Sequence, residues 1–316
     1  MSAPAALSPL NPHSPDSHDI VALWWWMLVV AGTVFLGTVA MLVMGWVRRG
    51  SRGLPFIGQS ERANVGLVIA FGMAIPATIL IALFIVSDLY VMSKTDAPAA
   101  DKTELKLVVV GHQWWWEARY PASGVVTANE IHIPARTSVD VVARTADVIH
   151  SFWVPELNRK IDMIPGQNNR IELYAEEPGT YRGQCAEFCG LQHAHMAFQV
   201  IAEPKAEFER WLVAQGEPAA EPSGALAARG KESFDENACA GCHTIAGTPA
   251  EGTIGPDLTH VGSRQTLAAL TIENTPRELE RWITDPQAIK PGAKMPGLEL
   301  SRGDIHAIAT YLEGLR

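Results

Sequence analysis

Cysteine is scarce in this sequence: four among 316 residues are too few to staple a chain of this length, which excludes a disulfide scaffold. The four form two local pairs, Cys185 with Cys189 and Cys239 with Cys242. Histidine lies close to each pair, so the pairs point to metal or cofactor chemistry. Charge is missing altogether from residues 20–47 and 63–87, and each gap exceeds the roughly 20 residues a helix needs to cross a hydrocarbon core. Residues 1–87 hold only Arg48, Arg49, Arg52 and Arg62 as bases, and Asp16, Asp19 and Glu61 as acids. With 25 bases and 34 acids in the whole chain, the remainder carries 21 against 31, a net charge of −10. An acidic soluble part argues against nucleic acid as a partner; it suits docking of a basic protein, or simply keeps the domains soluble.

The two uncharged stretches read as a transmembrane hairpin with helices at about 20–47 and 63–87. The first is about twice as long as a signal-peptide core and has no basic segment before it, so it is read as retained. The early arginines lie in or beside the connector, which the positive-inside rule places in the cytoplasm, leaving both termini and everything after Tyr90 periplasmic. Trp24, Trp25 and Trp26 suit the headgroup region near the outer end of the first span. Gly72 and Pro76 fall inside the second, where neighbouring helices can satisfy the freed backbone groups.

Five β-type runs follow at 105–110, 130–133, 139–144, 170–175 and 197–202, separated by Pro, Gly and Asn clusters, which predicts an antiparallel sandwich or barrel. Residues 203–214 read as a short amphipathic helix and 215–224 as a solvated linker. From 225 to 316 helical periodicity returns without strand signals. No internal repeat is evident. The expected layout is a tail at 1–19, the hairpin at 20–95, an all-β domain at 96–214, the linker, and an all-α domain at 225–316.

Cys185, Glu187, Cys189, His193 and Met196 fall within twelve residues, in CAEFCGLQHAHM. Thiolate, imidazole and thioether together make a soft ligand set suited to copper. A mononuclear blue-copper site uses a single cysteine and leaves the other thiolate over. Two thiolates bridging two coppers use both, and each metal then needs a histidine and a weak axial ligand. His150, in ADVIHSFWVPEL, is the best candidate for the second imidazole. A structural disulfide leaves His193 and Met196 unexplained, and a zinc site gains nothing from methionine.

Residues 104–202, and GQCAEFCGLQHAHM above all, resemble the cupredoxin domain of cytochrome c oxidase subunit II. The resemblance implies a Greek-key sandwich with a binuclear copper A centre. Its bridging thiolates would be Cys185 and Cys189, its imidazoles His150 and His193, its thioether Met196 and its remaining ligand the carbonyl of Glu187. The Glu187 side chain would reach a magnesium site shared with subunit I. Trp114, in a segment similar to the family's GHQW signature, would be the surface point where an electron arrives. Trp115 and Trp116 are expected to fill the core, and His112 and His195 are left as surface or core histidines. In many such subunits a glutamate precedes the proline of the second span by about two turns, at a proton-channel entrance; here Ile69 stands at that place, and Glu61 is too distant to replace it.

Cys239, Cys242 and His243 form CAGCH, the attachment motif of a c-type haem: two thiols on one helical turn bond the vinyl groups and the next imidazole ligates iron. A thioredoxin-like dithiol would follow a strand, and none precedes Cys239. For the sixth ligand Met295, in KPGAKMPG, is preferred over His260 and His306, since a thioether raises the potential. Residues 225–316 also resemble a class I cytochrome c, GPDLTHVGSR with Gly255 and Pro256 included.

Together the resemblances imply a caa3-type subunit II. Haem c would feed the copper pair, and the short linker would hold the two domains at millimolar effective concentration. The membrane spans contain no histidine, so oxygen reduction and proton pumping would fall to subunit I with its haems and copper, accompanied by subunit III. The expected setting is a bacterial inner membrane, with a cytochrome c or a quinol-cytochrome c reductase as external donor. A copper-A nitric oxide reductase and a free-standing membrane-anchored electron carrier are the rival readings.

Overall fold

The computed structural model describes residues 7–47, 60–93, 95 and 103–316; Arg48, Arg49 and Arg52, on which the expected orientation of the hairpin rests, lie outside them. The chain divides into two compact units, His18–Thr95 and a second formed by Met1–Ser17 with Asp96–Arg316.

Helix α1 spans Pro15–Val47 and starts five residues before the uncharged stretch. The cause is local. Ser14 Oγ accepts from the N–H of Ser17 at 3.1 Å, and Pro15 fills a first-turn position that needs no N–H. The second apolar helix, Glu61–Leu89, is built from α2 (Glu61–Ile69), a π-helical turn at Ala70–Ala74, α3 (Ile75–Val86) and a further π segment, Ser87–Met92. The first π turn stands just before Pro76, where the wider turn absorbs the backbone bond that proline cannot make. Both helices are long and apolar enough to cross a membrane, with mean hydropathy 2.3 and 2.6, and Trp24, Trp25 and Trp26 are exposed.

The second unit begins with a sandwich of ten strands: β1 (Leu105–His112), β2 (Trp115–Tyr120), β3 (Val125–Ala128), β4 (Glu130–Pro134), β5 (Val139–Thr145), β6 (His150–Trp153), β7 (Ile161–Met163), β8 (Asn169–Leu173), β9 (Gly179–Cys185) and β10 (Ala197–Glu203). One sheet has the order β3-β2-β1-β5-β8 and the other β4-β10-β9-β6-β7. β1 runs parallel to β5 and β10 parallel to β4, so the sheets are mixed rather than wholly antiparallel. Trp116, Phe152 and Phe198 are buried in the core, with the two phenylalanine rings stacked 4.7 Å apart. Five of the ten strands coincide with the runs expected from sequence. β2 and β9 escaped because an aromatic run and a Gly-rich polar run (GTYRGQC) show no apolar alternation. The N-terminal segment is tied to the sandwich, with the N–H of His13 donating to Glu156 O at 2.8 Å and that of Glu176 to His13 O at 2.9 Å.

Helix α4 (Lys205–Gln215) closes the sandwich, laying Trp211 edge-on to Tyr120 at 5.4 Å. The cytochrome-like part comprises α5 (Ala225–Glu236), α6 (Cys239–Cys242), α7 (Pro276–Thr284), α8 (Pro286–Ile289) and α9 (Arg302–Gly314). α5 and α9 cross at Gly230, where a Cβ would lie 2.0 Å from Ala307 O; only glycine permits that approach. One departure from an all-helical reading is a two-residue ladder, β11 (Thr266–Leu267) with β12 (Ile272–Glu273). Its turn holds Ala268, Ala269 and Leu270 at φ 53°, 59° and 61°, a conformation without a sequence signature in non-glycine residues. Residues 215–224 are mostly exposed, yet they do not hang free. The N–H of Ala219 donates to Ala246 O at 3.0 Å, and His260 Nε2 meets Glu217 O at 3.0 Å.

Candidate functional site

Pairing of β6 with β9 sets Phe152 opposite Cys185 and so brings His150, at the start of β6, beside the end of β9. His150 Nδ1 lies 3.8 Å from Cys185 Sγ. Beyond β9 the chain turns back at Gly190, whose φ of +113° favours glycine and where a Cβ would come within 3.1 Å of the Trp114 ring. The turn seats Cys189 Sγ 3.8 Å from Cys185 Sγ. His193 Nδ1 and Met196 Sδ lie 3.6 and 3.7 Å from the Cys189 sulfur, and Glu187 O lies 3.2 Å from that of Cys185. All six residues singled out in the sequence thus gather round one pair of sulfurs. His150, Cys185, Cys189 and Met196 are buried, His193 is half-buried, and the Glu187 side chain is exposed.

Both cysteines are free thiols. The sulfur–sulfur contact with Cys189, with help from the His150 ring, draws the Cys185 thiol well below its ordinary value. Cys189, left beside that thiolate, is pushed up. A second sulfur charge at this distance calls for a cation, and two sulfurs, two imidazoles and a thioether fit copper better than zinc. Burial alone would push the His150 ring down, but Asp147 and Cys185 raise it. His150 Nε2 meets Asp147 Oδ1 at 2.8 Å, which puts the proton on Nε2 and turns the Nδ1 lone pair to the sulfurs. Burial works against the Asp147 carboxylate too, yet bonds from His150 and the N–H groups of Gln113 and Val148 hold it well below the usual range.

In the cytochrome-like part, α6 puts Cys239 and Cys242 on one turn and His243 just beyond it. His243 Nδ1 donates to Pro256 O at 2.8 Å, and burial lowers the ring's pKa. The imidazole is therefore neutral, with its Nε2 lone pair available. Cys239, Cys242, His243 and Met295 line one cavity with apolar Ile283 and Leu312, a set that fits a covalently held haem. His260 is buried elsewhere with Nε2 on Glu217 O, and His306 is exposed with Nδ1 on Glu280. Of the three candidates for a sixth ligand, Met295 is the one that lines the cavity.

Trp114 and Trp115 line this cavity too, which corrects the expectation for Trp115. Trp116 is fully buried, but Trp115 is half-exposed and stacks on His112 at 4.1 Å, because alternation along β2 turns neighbouring side chains to opposite faces. His195 is exposed. Three residues escaped the sequence reading: Asp147, Gln113 and Lys290. Asp147 had a signal, standing three residues before His150. Gln113 Nε2 donates to Cys189 O at 2.8 Å, and Lys290 is a buried lysine; neither pattern exists before the chain folds.

Residues 122–203 match the family "Cytochrome C oxidase subunit II, periplasmic domain" and residues 227–316 match "Cytochrome c". Cytochrome c oxidase subunit 2 of Alkalihalophilus pseudofirmus is 33% identical over 315 residues, 98% of this chain and 90% of that protein. The Bacillus subtilis protein of the same name is 30% identical over 329 aligned positions, 99% of this chain and 92% of that protein. A crystal structure of the periplasmic domain of subunit II of cytochrome oxidase from Bradyrhizobium japonicum is 31% identical, covers 36% of this chain and 94% of that one, and has a TM-score of 0.35. The chain belongs to the cytochrome c oxidase subunit II family, in the form that joins a cytochrome c domain to the β-sandwich.

Proposed function

We propose that this chain is the electron-accepting subunit of a proton-pumping haem-copper oxidase. Cys185, Cys189, His150, His193, Met196 and the carbonyl of Glu187 would hold a binuclear copper A centre, and Cys239, Cys242, His243 and Met295 would hold haem c. Bound there, haem c and the copper pair supply one-electron transfer, while oxygen is reduced on subunit I. The protein's own residues position and insulate. Asp147 fixes the tautomer of His150, and Pro256 O fixes that of His243. Burial of both cysteines keeps water from the sulfurs.

The observation that carries this reading is the position of Trp114. Its ring lines the cavity that holds Cys239 and Cys242, and its indole N–H is bonded to the copper loop. An electron handed to Trp114 has only the loop backbone left to cross. The exposed carboxylate of Glu187 is the group to meet magnesium at subunit I. In this reading both soluble domains face the periplasm of a bacterial inner membrane, subunits I and III are partners, and a cytochrome c or a quinol-cytochrome c reductase supplies electrons.

Purifying the chain with its native partners and measuring oxygen uptake and nitric oxide consumption tests the proposal. Oxygen uptake with haem c and copper in the complex is the expected result. Nitric oxide consumed without oxygen uptake would assign the chain to a reductase of that gas, and neither activity would leave a membrane-anchored electron carrier.

A further inference from the structure

Lys290 is 3% exposed, which is rare for a lysine with no carboxylate partner among the described residues. Its Nζ donates to Trp114 O at 2.8 Å, His195 O at 2.7 Å and Ala268 O at 3.0 Å. The first two carbonyls belong to the sandwich, one on the tryptophan of the cavity and one in the copper loop. The third is in the β11–β12 turn of the cytochrome domain. Three acceptors use all three N–H bonds of an ammonium. Burial draws the amine down to about 7, and the carbonyl dipoles oppose that by favouring the charged form.

Neighbouring contacts continue the seam. Gln192 Nε2 donates to Pro291 O at 2.6 Å, and Lys294 Nζ lies 3.1 Å from Asp147 Oδ2. Leu191 packs so tightly on Gly292 that a Cβ there would fall 2.6 Å from Leu191 Cδ2. From β4, the buried Glu130 accepts from the N–H groups of Gln265 at 2.8 Å and Thr266 at 3.0 Å. Transient electrostatic encounters use exposed charges that stay hydrated. Here a buried cation and a buried carboxylate take their hydrogen bonds largely from the other domain, a costly arrangement that persists only when the geometry is fixed.

We infer that Lys290 is the positioning residue of an internal dock, pinning the cytochrome domain to the sandwich in the pose that lays the Cys239–His243 cavity against Trp114. The inference rests on the proposed electron transfer for its purpose and on the contacts alone for its geometry. The tether then serves assembly, and transfer occurs in a standing pose, with one electron leaving the cytochrome domain, one arriving at the copper loop and no bond made or broken.

The test uses the full chain in its native complex, comparing wild type with K290M, which keeps an unbranched apolar stem one atom shorter and removes the donors. Native-state hydrogen exchange at the amides of Gln265 and Thr266 reads opening of the dock. Because K290M leaves two interface carbonyls buried without donors, exchange there should quicken by about tenfold or more. Exchange at Leu279 and Cys185, bonded within their own domains, should not change. Internal electron transfer should slow while direct reduction of the copper domain by a small-molecule reductant keeps its rate. Unchanged exchange at Gln265 and Thr266 would overturn the inference. If K290M does not fold, amine acylation of the native chain decides: Lys290 labelling as fast as the exposed Lys294 would overturn it, and labelling at least about tenfold slower would support it. Exchange and acylation need no electron flow, so their failure leaves the proposed function standing, and failure of that function leaves them readable.

Discussion

Trp114 donates its indole N–H to the carbonyl oxygen of Cys189 at 3.0 Å. Gln113 shares the same acceptor, so the side chains of Gln113 and Trp114 clamp the middle of the loop between Cys185 and Met196. The clamp makes one residue both a wall of the cavity and a hydrogen-bond partner of the proposed copper ligand's backbone.

Replacing Trp114 by phenylalanine keeps an aromatic wall and deletes that bond. Internal electron transfer should slow, while bound copper and the haem c spectrum remain. Stability should fall by about 1 kcal/mol, the usual worth of one such bond. Flash-induced kinetics and denaturant titration check the two parts; an unchanged transfer rate would remove Trp114 from the route.

Cys189→Ser removes one of the two sulfurs that stand 3.8 Å apart. Copper should be lost and the absorption of haem c left intact, as read by metal analysis and visible spectra of the same sample. Two coppers retained per chain would refute bridging.

Asp147→Asn leaves a side chain of the same shape but weakens the hold on the Nε2 proton of His150. Copper affinity should drop by about 10- to 100-fold, measured by competition with a chelator, and an unchanged affinity would make Asp147 incidental.

Met295→Ala should lower the haem c potential, since loss of the thioether removes the ligand that raises it, whereas His260→Ala should leave it unchanged. A redox titration separates the two, and the reverse pattern would move the ligand to His260.

Burial raises the pKa of Glu130, so above the ordinary glutamate value of 4.5 the folded chain binds more protons there than the unfolded one. That contribution to folding stability is complete below the ordinary value and fades as pH rises through the raised one. Denaturant titration at a series of pH values should show this part of the pH dependence lost in E130Q. An identical pH dependence in the two proteins would assign the effect to another group.

Much of this protein could be read before folding, because the relevant signals are local. Two uncharged runs of membrane length, the soft donors packed into twelve residues and CAGCH each carry their chemistry within a window shorter than any tertiary contact. The sequence also pointed to His150 at a distance, since it follows the run at 139–144 and is bracketed by apolar residues that could hold its ring. Folding decided what depends on register and approach. Pairing of β6 with β9 put His150 beside Cys185, alternation along β2 buried Trp116 and left Trp115 at the cavity, and the seating of one domain on the other gave Lys290 two of its three carbonyls. A lysine before a Pro-Gly turn has no periodicity or motif to mark it. Its role comes from backbone oxygens drawn from three separate segments of the chain, and only the packed structure brings them within reach of one ammonium.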